Sequence, residues 1–125
     1  MPDLPLLDAA VELRDLLPVD DLNELARSFA ETHELSVAIL DLQGAVLAGA
    51  GSLIATGPGD TRFAVHALTH DGERRGSVLV GPRDDDPARC TRIAAHVAGV
   101  LEVLVHAGWV RHLTTVSHLD RKSVV

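Results

Sequence analysis

Aromatic side chains are nearly missing from this 125-residue chain, which has two Phe, one Trp and no Tyr. A core must therefore be built from Leu, Val, Ile and Ala. The stacking platforms on which single-stranded nucleic acid or planar cofactors rest are lacking as well. Cysteine occurs once, at Cys90, so an internal disulfide is excluded. Its place on the apolar side of a predicted helix points to a small buried hydrophobe rather than a reactive thiol. Basic residues are few and scattered, 11 against 18 acidic, for a net charge of −7. That balance disfavours a phosphate backbone and an anionic membrane as partners. No apolar run approaches bilayer-spanning length, and the N-terminus lacks the basic residue and apolar block of a signal peptide. The expectation is a cytoplasmic chain with no nucleic-acid and no membrane partner.

Two turn signals, each between apolar runs, organise what is present. Asp41-Leu42-Gln43-Gly44 separates Ser36–Leu40 from Ala45–Ala48, and His70-Asp71-Gly72-Glu73 separates Phe63–Leu68 from Gly76–Gly81. Asp supplies a side-chain hydrogen bond and Gly a positive φ, as tight hairpins require. The predicted strands are 35–41, 45–49, 62–69 and 75–81, with the Gly- and Pro-rich segment 50–60 crossing between hairpins. His70 falls in the second turn on this reading.

Helical spacing flanks the hairpins. Residues 5–17 form a turn or two ended by Pro18. Leu22, Leu25, Ala26, Phe29 and Ala30 predict a helix over 20–33, with Asp20 or Asp21 at its N-cap and Glu24 completing a capping box. Asp86 caps a long helix whose first residue is Pro87 and which runs to about 118. Cys90, Ile93, Ala94, Val97, Val100 and Leu104 form one stripe on it, predicted to cover the sheet. Ala98, Leu101, Val105, Trp109, Leu113 and Val116 form a second. A helix of that extent is about 48 Å long, while a six-residue strand covers about 20 Å. The second stripe is therefore expected to pair two copies, with Trp109 as its anchor; a break at Gly108 that folds the helix back is the alternative.

Catalytic patterns are not found. The seven histidines include no His-x-x-x-His helix pair and no cysteine cluster, so no metal site is expected. No serine lies in a nucleophile elbow, and Gly49, Gly51, Gly57 and Gly59 form no phosphate loop. Asp84-Asp85-Asp86 reads as a solvated run at a helix start. No cofactor and no enzymatic activity are expected.

The order of these elements resembles bacterial GAF/PAS-like sensor domains, especially the PocR-type subgroup. The helix ending in Thr32-His33, the strand, the Asp41/Gly44 turn, Asp71-Gly72 and Gly76-Ser77-Val78-Leu79-Val80-Gly81-Pro82 carry the likeness, over about 15–118. The resemblance implies small-molecule sensing, but the long pocket-closing middle segment is reduced here to 50–60, and the usual cysteine is missing from it. Thr115-Val116-Ser117-His118 resembles the start of a histidine-kinase phosphoacceptor box, without its acidic residue and proline. The roadblock family of small-GTPase regulators shares a helix, hairpin and three-strand order, with an extra helix that this chain lacks.

The sequence reading is thus one α+β domain, 1–118, followed by a tail, 119–125. It predicts a four-stranded antiparallel sheet of order 2-1-4-3, with N-terminal helices and a long C-terminal helix on one face. The expected function is a non-catalytic signalling module acting by protein contact and homodimerisation. A ligand sensor with a pocket between the sheet and loop 50–60, and a roadblock-type regulator, are the alternatives.

Overall fold

The computed structural model describes residues 13–124, with side chains from 13 to 110 apart from those of residues 14 and 15. Seven elements follow in order: α1 (Leu13–Leu16), α2 (Val19–His33), β1 (Ser36–Asp41), β2 (Val46–Ala50), β3 (Ala64–His70), β4 (Glu73–Gly81) and α3 (Pro87–Val124). The strands form one antiparallel sheet in the order β2-β1-β4-β3, the predicted α+β arrangement. Most of the sequence-predicted residues 5–17 lie outside the described residues.

Each hairpin closes by a different device. In the first, Gly44 has φ +87° and donates its N–H to the Asp41 carbonyl at 3.0 Å. The Asp41 carboxylate accepts the Ala45 N–H at 2.9 Å. In the second, Asp71 and Gly72 both have positive φ, +54° and +78°. Two left-handed residues make the turn whose twist matches that of the flanking strands. His70 is therefore not in the turn as expected: it is the last residue of β3, paired with Glu73 and buried.

The start of α2 also differs from expectation. Pro18 is the N-cap, with no side-chain cap bond, and its carbonyl accepts the Leu22 N–H at 3.1 Å. Asp20 and Asp21 lie within the first turn, where their charge complements the helix dipole. Asp21 and Glu24 therefore form no capping box. At the start of α3 the predicted cap is present, with Asp86 accepting the Arg89 N–H at 3.1 Å.

The sheet separates two apolar clusters. On its inner face, Val37, Ile39, Ala48, Leu68, Val78 and Val80 pack against Leu22, Ala26 and Ala30 of α2 and against Ala94, Val97, Leu101 and Val105 of α3. On its outer face, Ala38, Leu40 and Leu79 lie under Ala55, Phe63 and the half-buried Leu53. The segment 51–63 is thus a strap that seals the outer face, not a bare connection.

The helix α3 does not break at Gly108. It runs for 38 residues, about 57 Å, against about 30 Å for the longest strand. Gly108 instead marks the place where α1 crosses. A Cβ there would lie 2.5 Å from the Leu16 carbonyl oxygen, too close for any side chain. At Gly99, on the same helix, a Cβ would meet nothing within 4 Å.

These glycines generate opposite predictions. Gly99→Ala stabilises by up to about 1 kcal/mol through helix propensity. Gly108→Ala destabilises by about 1–3 kcal/mol despite the same propensity gain, because α1 must shift. Urea unfolding of the two variants beside wild type checks the signs. Gly44→Val and Gly72→Val each cost about 1 kcal/mol or more, read in the same way.

Candidate functional site

The helix α3 offers more apolar surface than its own fold consumes. The sheet takes a broad arc of it. Cys90, Ala94, Val97, Ala98, Leu101 and Val105 are each 0% exposed, and Ile93 is buried beside them. Ala98, Leu101 and Val105, expected at a homodimer interface, are therefore core residues with no surface left for a second copy. The physical reason is the position of α3. It crosses β3 and β4 while α1 packs on it from another side, so one narrow stripe cannot serve the core alone. Trp109 is half-buried, with its ring edge-on to His70 at 5.9 Å. Leu113 and Val116 lie outside the described side chains, as does His118.

The surface that remains lies on the opposite side of α3. Val103 is 69% exposed and Val110 46%, one heptad apart, and Gly99 and Ala107 are exposed with them. Leu104 and Val100 are half-buried at the margin of this strip. Leu104 also forms one wall of a groove of about 410 Å³ lined by Leu17, Leu22 and Leu25, with Asp21 and Glu24 at its rim. Residues 87–110 are long and apolar enough, by composition alone, to cross a bilayer, with mean hydropathy 1.6 in the best window, of which 39% is buried. This stretch is not an unbroken apolar run, since Arg89, Arg92, His96, Glu102 and His106 interrupt it, and a helix that fills a core passes the same test of composition. The sequence signal for the outward strip is the run of apolar and small residues Gly99, Val103, Ala107 and Val110, which a division of the helix into two stripes passes over.

A second feature lies beneath the strap. A cavity of about 260 Å³ is bounded by Ala38, Val46, Gly49 and Gly51 of the sheet region and by Leu53, Ile54 and Ala55 of the strap. Ile54, at this cavity, is 80% exposed. Polar side chains hold the strap at both ends. Ser36 Oγ accepts the Leu53 N–H at 2.9 Å. Asp60 accepts from Thr56, through backbone and hydroxyl, and from the Arg62 backbone and guanidinium, with the closest approach 2.7 Å. Arg62 in turn donates to the Ile54 carbonyl at 2.8 Å. The Arg62 guanidinium hydrogen bond, joined by backbone N–H donors, holds the Asp60 carboxyl far below the usual carboxylate range.

A third feature is a polar corner where β3 meets α3. Glu102 accepts from the Thr69 N–H at 3.1 Å and from its hydroxyl at 3.2 Å, covering an N–H on the sheet edge. His70 Nε2 and His106 Nδ1 stand 3.3 Å apart, while His70 Nδ1 is buried without a hydrogen-bond partner. Among the described residues no three potential ligands converge on a metal position. Cys90 donates to the Pro82 carbonyl at 3.4 Å, and burial pushes its thiol pKa up, away from the reactive thiolate.

Comparison with protein-family models, curated proteins and solved structures gives no match to this chain.

The strap gives a pH prediction. Because the folded-state pKa of Asp60 is depressed, its contribution to stability is complete above the ordinary carboxylate pKa of about 3.9 and falls away as pH drops below it. The difference in melting temperature between wild type and Asp60→Asn is therefore expected to be constant from pH 7 to 5 and to shrink towards pH 3. A difference independent of pH over that range contradicts the Asp60–Arg62 clasp.

Proposed function

We propose that this chain is a non-catalytic signalling module of the bacterial sensor kind, which acts by protein contact and pairs with a second copy through its helices. The observation that carries the reading is the exposed apolar strip of α3, centred on Val103 and Val110, on a helix whose other side already fills the core. An exposed strip of aliphatic and small residues at helical spacing suits close approach of a second helix, and twofold pairing is the commonest way to cover such a surface. Against this strip, the features that would support catalysis are weak: Cys90 is buried, which pushes its thiol pKa up, and His70 is buried with the Trp109 ring edge-on to it.

The cavity beneath the strap favours a second reading, a sensor for a small apolar molecule. Its volume of about 260 Å³ lies just below the range of about 300–1,000 Å³ usual for ligand pockets. A thermal-shift screen with small alkyl and aromatic compounds separates the readings, since stabilisation abolished by Ala38→Leu supports the sensor.

The direct test of the contact reading is Val103→Glu combined with Val110→Glu. Both positions are exposed, so the far-UV helical signal is expected to stay as in wild type while the mass measured by light scattering falls from dimer to monomer. A variant that keeps the wild-type mass removes this face from the interface.

A further inference from the structure

We propose that Glu102 and His66 together stop the free edge of the sheet, by occupying the backbone groups through which a strand of a second copy would add. The inference stands apart from the homodimer reading, since it concerns the edge of β3 and not the strip on α3. Among the described residues β3 pairs on one side only, with β4. The register shift after Leu68 leaves its extra residue, Arg75, on β4, so alternation along β3 is unbroken. The Thr69 N–H turns to a side chain of α3 instead of to β4. Backbone groups two residues apart on a strand face the same way, so Val65, Ala67 and Thr69 present theirs to the open side. Val65 is 46% exposed, and His66 and Ala67 are exposed beside it. An apolar, exposed edge of this kind is a template for pairing with another chain.

Two side chains meet that edge with opposite chemistry. Glu102 Oε2 accepts from the Thr69 N–H at 3.1 Å and from its hydroxyl at 3.2 Å. His66 Nδ1 lies 2.9 Å from the Ala67 carbonyl oxygen. A carbonyl can only accept, so the ring nitrogen donates. In a parallel ladder, one residue opposite Leu68 would make these same two bonds, donating to Ala67 and accepting from Thr69. The donor and the acceptor of that absent residue are thus supplied by β3 and α3 themselves. An antiparallel strand meets the same obstacle, because it needs both groups of Ala67 or both groups of Thr69, and one of each is taken. Glu102 is also the sole acidic residue in 87–119, and it is half-buried. A strand added over it would have to bury a carboxylate, which opposes the addition further.

Hydrogen exchange in the unaltered protein reads the cover directly. The Thr69 amide is expected to be protected at least about tenfold more than the Val65 amide on the same edge. Equal protection of the two overturns the assignment of Glu102. The consequence for association is read by light scattering in the Val103→Glu, Val110→Glu background, where the α3 strip does not pair copies. Adding Glu102→Ala with His66→Ala is expected to raise the mass above that of the background as concentration increases. Val65→Lys added to these is expected to bring the mass back, because a lysine on an edge strand resists strand addition. Glu102→Gln alone, which keeps an acceptor for Thr69, is expected to leave the background mass unchanged. A Glu102→Ala, His66→Ala variant that keeps the background mass overturns the proposal. So does a larger species that Val65→Lys does not reverse, since that is the mark of unfolding and not of pairing along the edge.

Discussion

The packing of α3 across β3 and β4 is the interaction on which the remaining structure depends. It supplies a large part of the inner core, and every strand of the sheet shares the cluster that it completes. With so few aromatic residues, this core relies on close aliphatic contact, in which each methylene is felt. The crossing with α1 shows how close the contact is. Gly108 is required because the Leu16 carbonyl occupies the space a Cβ would need, and a glycine that weakens the helix locally is retained for the sake of its docking. The helix continues through that point instead of bending.

The two faces of the sheet are sealed in different ways, and the difference bears on function. The inner face is closed by α2 and α3 mainly through apolar area, with the Glu102 carboxylate on Thr69 as a polar tie at its edge. The outer face is closed by a strap whose three apolar residues, Leu53, Ala55 and Phe63, are held by a polar clasp around Asp60 and by the Ser36 hydroxyl. Apolar packing is indifferent to pH, while the clasp depends on an ionised carboxylate. The strap is therefore an element whose attachment responds to acid, and it borders the cavity that the sensor reading would use.

The sheet was legible in the sequence because its signals are local. Asp41 with Gly44, and Asp71 with Gly72, fix the hairpins by backbone chemistry that any fold must obey, and strand alternation then leaves few ways to order four strands. The start of α2 was misjudged because a proline can cap through its own carbonyl, leaving Asp20 and Asp21 inside the first turn. His70 was misplaced because a two-residue turn needs only Asp71 and Gly72. Three residues of the expected interface stripe, Ala98, Leu101 and Val105, belong to the core for a less local reason. Ala98, Leu101 and Val105 share one side of α3, but which side meets the sheet is decided by the tertiary crossing. On a helix apolar nearly all round, periodicity could not distinguish the core side from the side bearing Val103 and Val110.

A helix apolar on its outer side can be covered by a second protein copy, by another partner or by lipid, and we propose the first. The most direct check is the mass of the unaltered protein in detergent-free solution, measured by sedimentation equilibrium from low to high micromolar concentration. The account predicts a reversible rise from the 13.3 kDa chain mass to twice that value, with no larger species. A mass that stays at 13.3 kDa up to the highest concentration would contradict it.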